Sequence, residues 1–262
     1  MYSTRKHFLE QECDTAVLPV GAIEQHGSHL PVGTDAIIAE EIAKRLALRL
    51  NAYLLPCLCI SSSIEHRESK GTVYLRADTL ALVIRDIAES LRYSGFRRLI
   101  VFTGHGGNWI LKPTIRQLNR DYEERGMSME TILIPSNIAA ARQGEIVTHV
   151  QHDLHAGEKE TSIMLHLCPD RVEAVVPQTR HASAPQDYMD YFDVIDITED
   201  GYWGFPEEAT ADKGRRLLDL IENSAFAYLE GIEQERRRIM AGKSSGPVPR
   251  ETDKLSTGGW DA

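Results

Sequence analysis

The chain alternates short, wholly apolar runs with longer stretches whose apolar positions recur every three to four residues. Ala16-Val17-Leu18-Pro19-Val20 is apolar throughout and too short for a helix, the mark of a strand buried on both faces. Residues 35–51 follow with Ile38, Ile42, Leu46 and Leu50 on one helical stripe, and Thr34 or Asp35 stands where a cap belongs. The alternation then repeats. Residues 53–60 predict a strand, 78–94 a helix stopped by Gly95, 98–102 a strand, and Gly107-Asn108 the start of a helix running to Arg125. Residues 131–135 predict a further strand, 157–167 a helix before Pro169, and 214–240 the last long helix. Strand and helix in turn predict an α/β protein with a mostly parallel sheet. Such sheets bind ligands beyond the carboxyl ends of their strands. Residues 21–35 and 104–108 each follow a strand, so two polar loops are expected at one sheet edge.

Composition narrows the class. With 262 residues, 42% hydrophobic and 26% charged, the chain is an ordinary globular protein able to bury a core without staples. Residues 1–242 are expected to form a single domain. Residues 243–262, rich in Ser, Gly, Pro and charge, are expected to be an extended C-terminal arm. A net charge of -10 argues against a nucleic-acid partner, which needs a basic face. No apolar stretch approaches the roughly 18 residues that span a bilayer, so no membrane partner is expected. Residues 1–12 lack the apolar segment of an export signal, and Cys13, Cys57, Cys59 and Cys168 do not pair as a zinc knuckle. Free thiols in the cytoplasm are the expectation.

Candidate chemistry falls in three runs. E-Q-H-G-S-H-L-P-V-G-T-D, residues 24–35, sets Glu24 and His26 two apart, so in an extended segment they face one point while Gln25 faces away. Asp35, at the mouth of the next helix, can return to that point, and read alone it serves equally as a helix cap. T-G-H-G-G-N, residues 103–108, places His105 between a strand and a helix, with free N–H groups expected at the helix start. Neither phosphate-loop pattern is present. D-L-H-A-G-E-K-E-T-S, residues 153–162, places His155 just ahead of a helix on which Glu158 and Ser162 share a face and Glu160 points elsewhere. Carboxylates mixed with imidazoles suit Zn, Mn or Fe(II). A single zinc takes three protein ligands. Five candidates, Glu24, His26, Asp35, His105 and Glu158, therefore suit two divalent ions with Asp35 as the bridge. Such a pair acidifies a bridging water and polarises a carbonyl, which leaves His155 to handle the proton. The polar loop 61–70, with Ser62, Glu65 and His66, together with His29, Tyr202 and Trp203, completes a candidate pocket for a small polar substrate.

The runs G-A-I-E-Q-H-G-S-H-L-P-V-G-T-D, T-G-H-G-G-N and H-A-G-E-x-E-T-S, in this order, resemble the creatininase (creatinine amidohydrolase) family. G-T-V-Y-L-R-A-D-T-L (71–80) and G-Y-W-G-F-P-E-E-A-T-A-D-K-G (201–214) extend the likeness over roughly residues 10–230. The resemblance implies a three-layer α/β/α sandwich, two metal ions (Zn, Mn or Fe), a homo-oligomer that is often a hexamer, and hydrolysis of an amide-type bond. Residue by residue it matches Glu24, His26, Asp35 and His105 to metal ligands and His155 to the catalytic histidine. Creatininase carries a glutamate two residues after the histidine of the second motif. Gly107 stands in that place here, and Glu158 is the expected replacement. Creatininase also encloses its substrate with tryptophans ahead of the catalytic histidine, whereas this chain has none between Trp109 and Trp203. The expected function is a cytoplasmic, binuclear metal-dependent hydrolase of a small polar, cyclic amide. Two alternatives stand beside it. One is a C–C ring-opening hydrolase of a diketo-inositol, favoured by the hydroxyl-bearing loop 61–70. The other is a non-catalytic metal- or ligand-binding subunit, favoured by the missing glutamate at 107.

Overall fold

A computed structural model, describing residues 4–10, 13–176, 178 and 185–244, contains four parallel strands in the order β2-β1-β3-β4. The strands are β1 (Thr15–Val20), β2 (Tyr53–Leu54), β3 (Arg98–Thr103) and β4 (Glu130–Ile134). Before, between and after them run the helices α1 (Arg5–Glu10), α2 (Thr34–Leu50), α3 (Ala77–Tyr93), α4 (Leu111–Glu124), α5 (Ala140–Gln143), α6 (Glu158–Leu167), α7 (Val194–Ile197) and α8 (Ala211–Ser244). β1 and β3 pair along their whole length, from Thr15 opposite Arg98 to Val20 opposite Thr103.

Side chains alternate across this sheet with period two. Ala16, Leu18 and Val20 of β1 and Leu99 and Val101 of β3 point to one face. There they pack with Leu80, Ile84, Ala88 and Leu91 of α3 and Leu111, Ile115, Leu118 and Tyr122 of α4. α2 packs on β1 and β3, yet none of its side chains belongs to that cluster, which places it on the opposite face. Ala39, Ile42, Ala43 and Leu46 form its fully buried stripe. Helices on both faces of a parallel sheet give three layers. The chain leaves β1 for one neighbour, β2, and returns to the other side of β1 to build β3. The carboxyl ends of β1 and β3 therefore flank the point where the strand order reverses, the place where such sheets open a crevice.

The short helices α1, α5 and α7 were not expected, and two expected elements are displaced in their bounds. The strand expected over 53–60 pairs regularly only at Tyr53–Leu54. Pro56 has no N–H for a ladder, and beyond it the chain keeps to β1 through the Leu58 N–H on the Pro19 carbonyl at 2.9 Å. α4 starts at Leu111 instead of Gly107-Asn108. Asn108 is engaged elsewhere. Its Nδ2 donates to Thr103 Oγ1 at 3.2 Å and its Oδ1 accepts the Ser62 N–H at 3.1 Å, which ties the loops after β2 and β3 together. The expected anion site at a helix start is thus displaced from the glycines. The chain forms two compact units, Met1–Ala225 and Phe226–Ala262. The sheet and all the residues of the candidate site lie in the first. The expected arm lies, beyond Ser244, outside the described residues. No described helix is long and apolar enough to cross a membrane.

Candidate metal centre

Glu24 and His26 sit on the segment that leaves β1 and are fully buried. The His26 ring is set by its own chain: Nδ1 donates to the Glu24 carbonyl at 3.1 Å, so Nε2 turns inward. It lies 3.4 Å from Asp35 Oδ1 and 3.8 Å from Glu160 Oε2. The other oxygen of Asp35, Oδ2, lies 3.3 Å from His105 Nδ1, and Glu24 Oε1 lies 3.2 Å from the same nitrogen. Asp35 stands at the second position of α2 and makes no capping bond there. Its carboxylate spans the two histidines, one oxygen on each.

His155 reaches the same point from the segment before α6. That segment is pinned to Trp203: the His155 N–H donates to the Trp203 carbonyl at 3.1 Å and the Trp203 N–H donates back at 2.7 Å. His155 Nε2 donates to the Gln25 carbonyl at 2.8 Å, and Nδ1 faces Glu24 Oε1 at 3.6 Å. Ala156 then turns with a φ of 48°, in the left-handed region. Glu160 folds back and accepts the Ala156 N–H at 2.7 Å, which points its carboxylate at His26.

Three groups of ligand atoms, each within 4.8 Å of one another, result among the described residues: Glu24, Asp35 and His105; His26, His155 and Glu160; and Glu24, His66 and His155. Both oxygens of Glu24, Asp35 Oδ2, His26 Nε2 and His105 Nε2 are buried with no hydrogen-bond partner. Buried polar atoms are ordinarily satisfied. Four of these five, all but His105 Nε2, which faces Glu65, are what a bound cation would satisfy, so these residues fit a metal.

The charges agree. Burial pushes the Glu24 carboxyl up to about 7 against the pull of His105. Burial also opposes ionisation of Asp35, but His26 and His105 outweigh it and hold Asp35 well below the usual carboxylate range. Glu160 is lowered likewise, its burial outweighed by Lys159. Burial works against charge on His26, yet Asp35, Glu24 and Glu160 prevail and raise it to about 9. His105 is raised well above its usual value in the same way, mainly by Glu24. His155, desolvated and beside His26, falls to about 3. Protons on two histidines thus balance buried carboxylates, and divalent ions bind such ligands by displacing protons.

Of the residues expected at the site, Glu24, His26, Asp35, His105 and His155 converge. Glu158 does not join them. Although fully buried, it accepts the Thr148 N–H at 2.8 Å and pairs with Lys213 Nζ at 2.5 Å. Glu160, expected to point elsewhere, occupies the cluster. Over Gly107, where Glu158 was expected to compensate, stands Glu65, with Oε1 3.2 Å from His105 Nε2. His66 Nε2 lies 3.5 Å from Glu24 Oε1. Gln25, expected to face away, instead reaches the edge of the cluster: its Nε2 lies 2.9 Å from His66 Nδ1 and 3.3 Å from His155 Nε2 while donating to the Gly201 carbonyl at 2.7 Å. His29, Tyr202 and Trp203 shape the frame. His29 Nε2 lies 3.1 Å from the Ala156 carbonyl, Tyr202 packs edge-on against His29 and donates to the Val176 carbonyl, and Trp203 carries the pairing to His155. Ser62 is buried beneath Asn108. Sequence reasoning missed Gln25 and Asn108. The only signal for Asn108 was its place directly after paired glycines behind a strand.

A family model described as Creatininase: Creatinine amidohydrolase matches residues 2–229. The mycofactocin precursor peptide peptidase of Mycolicibacterium smegmatis is 29% identical over 86% of this chain and 87% of its own. The 3-dehydro-scyllo-inosose hydrolase of Thermotoga maritima is 25% identical over 94% of this chain and 85% of its own. Two solved creatininase structures, a mutant of the Zn-Zn type and a manganese form, align over 88% of this chain and 96% of theirs. Their identities are 26% and 25% and their TM-scores 0.74 and 0.76.

Proposed function

This chain belongs to the creatininase family, and we propose that it is a hydrolase that holds two divalent ions and cleaves the amide C–N bond of a small polar substrate. Glu24, Asp35 and His105 would hold one ion, and His26 and Glu160 the other, with Asp35 shared. Zinc, manganese and iron(II) all accept this donor set. Bound divalent ions supply Lewis acidity at a carbonyl and acidify water. The chain's own contribution is the proton. The Gln25 carbonyl takes the Nε2–H of His155, so the lone pair is on Nδ1, on the Glu24 side. At Nδ1 the imidazole accepts a proton from the attacking water and returns it to the departing nitrogen. The observation that carries this reading is Asp35, placed between two histidines in a nest of orphaned buried ligand atoms.

The C–C alternative rested on hydroxyls in loop 61–70 and on the absence of tryptophan between Trp109 and Trp203. Ser61 donates to the Gly21 carbonyl, and Ser61, Ser62 and Ser63 are all buried, so the hydroxyls lend it less support and the missing tryptophans remain. The proposal includes a cytoplasmic homo-oligomer, hexameric as the resemblance implies. The oligomer is supported by a mostly apolar surface in the second unit lined by Tyr228, Ile232, Ile239 and Met240 beside Glu235 and Arg236 and tested by light scattering.

The decisive experiment is metal content per chain followed by a hydrolysis panel of cyclic amides, formamides, short peptides and cyclic 1,3-diketones. About two ions with release of an amine supports the proposal. A ring-opened keto acid with no amine moves the bond to C–C. No ion after addition of Zn, Mn or Fe(II) leaves the binding-subunit alternative.

A further inference from the structure

His105 is held on both ring edges. Nδ1 faces Glu24 Oε1 at 3.2 Å and Asp35 Oδ2 at 3.3 Å, and Nε2 faces Glu65 Oε1 at 3.2 Å on the far side. Glu65 stands outside the three ligand groups. It belongs to a one-turn segment, Ile64–His66, fixed at both ends. Before it, the Ser62 N–H is held by Asn108 Oδ1. After it, His66 Nδ1 meets Gln25 Nε2 at 2.9 Å, and Arg67 pairs with Asp193 at 3.2 Å. Its side chain is 11% exposed, so the carboxylate sits at the rim of the buried cluster.

Gly107 makes the space for this carboxylate. A Cβ there would lie 1.8 Å from Glu65 Oε1 and 2.3 Å from His105 Nε2. No side chain fits at 107 while Glu65 holds this place. The second glycine after His105 is therefore explained by contact, not by backbone torsion.

We propose that Glu65 is the positioning residue of the His105 half of the centre. Its carboxylate, 3.2 Å from His105 Nε2, is placed to accept that nitrogen's proton when Nδ1 binds an ion, which would fix the tautomer whose Nδ1 lone pair faces Glu24 and Asp35 and make that nitrogen a stronger donor. The proposal rests on the metal reading above. Carboxylates behind ligand histidines set ring orientation and basicity, and their loss typically weakens metal binding by about 10–100-fold.

The test is Zn²⁺ titration of the metal-free full chain against a chromophoric chelator, which resolves the two affinities without reference to activity. Glu65→Gln keeps the size and removes the charge. It is expected to weaken one ion by about 10–100-fold and leave the other unchanged. His105→Ala should abolish that same ion, and adding Glu65→Gln to it should change nothing further. Gly107→Ala, by pushing Glu65 off His105, should reproduce Glu65→Gln. If it does not fold, as judged by circular dichroism, the first comparison decides. Two tight ions in both the parent chain and Glu65→Gln overturn this proposal alone, as does equal weakening of both ions. A parent chain that binds no ion overturns the metal reading and this proposal with it.

Discussion

Glu158 and Glu160 lie two residues apart at the start of α6, both buried, and they meet different partners. Glu158 accepts hydrogen bonds from Thr148 N at 2.8 Å and Thr148 Oγ1 at 3.2 Å and pairs with Lys213 at 2.5 Å. Lys213 also donates to the Glu208 carbonyl at 2.8 Å. Glu158→Gln keeps an oxygen for the Thr148 N–H but removes the charge beneath Lys213. A charge-assisted hydrogen bond contributes about 1.5–3 kcal/mol, and breaking a buried pair costs about 3–5 kcal/mol. The Lys213 side chain is 22% exposed, so water recovers part of the loss, and about 2–3 kcal/mol is expected. At roughly 2–4 °C per kcal/mol for a chain of this size, Tm should fall by about 4–12 °C. The melt must be done without metal, because bound ions stabilise the native state by mass action. Metal content, measured by elemental analysis on the same variants, should stay at two ions per chain for Glu158→Gln and fall to one for Glu160→Gln. The assignment is refuted if Glu158→Gln loses an ion with an unchanged metal-free Tm, or if Glu160→Gln keeps both.

The other expectations are briefer. His155→Ala should keep both ions and lose about 10²–10⁴-fold in turnover, and full turnover in that variant would remove its proton role. His105→Ala should lose metal and activity together, measured on one preparation. Gly214→Ala places a Cβ 1.9 Å from the Ser162 carbonyl, so α8 must shift from α6 at about 1–3 kcal/mol, and a parental Tm would show that this contact is slack. Burial and the neighbouring Cys59 push the Cys57 thiol up to about 12. Its thiolate becomes abundant only as pH climbs toward that value. Iodoacetamide at pH 8 should therefore modify it roughly 1,000-fold more slowly in the native chain than in the unfolded one, and equal rates by mass spectrometry would contradict the burial argument.

The core of the fold was legible because β1 and β3 are apolar on both faces and α2, α3 and α4 carry clear stripes. These are features of periodicity that a sequence displays directly. The edge at which the loops meet followed from chain order alone. Glu24, His26 and Asp35 were legible for the same reason: they lie within one short segment behind one strand, where spacing decides direction. What spacing could not decide was the start of α6. Glu158 shares a helical face with Ser162, and that argument was sound for the helix. Which face turns to the candidate ligands is set by the left-handed turn at Ala156 and by the Trp203 pairing, the latter made outside the motif. Glu65 was legible as a polar loop residue but not as a neighbour of His105, because their meeting depends on Asn108 joining the ends of β2 and β3.

Asp35 shows how folding and chemistry are joined here. An acidic residue in the first turn of a helix favours the dipole, and that alone would account for its place in the sequence. Burial in this position costs far more than the dipole returns unless the charge is met. Asp35 is 2% exposed and makes no capping bond, and the groups that meet its charge are His26 and His105, brought from two different strands. Either imidazole alone would leave one carboxylate oxygen unmatched in a dry site. The carboxylate is therefore stable only where the ends of β1 and β3 lie side by side, which their register from Thr15–Arg98 to Val20–Thr103 enforces. A slip of one residue would turn the period-two pattern of β1 inside out and separate the ligands at the same stroke. The requirement that places the core side chains on the correct faces is thus the one that assembles the centre.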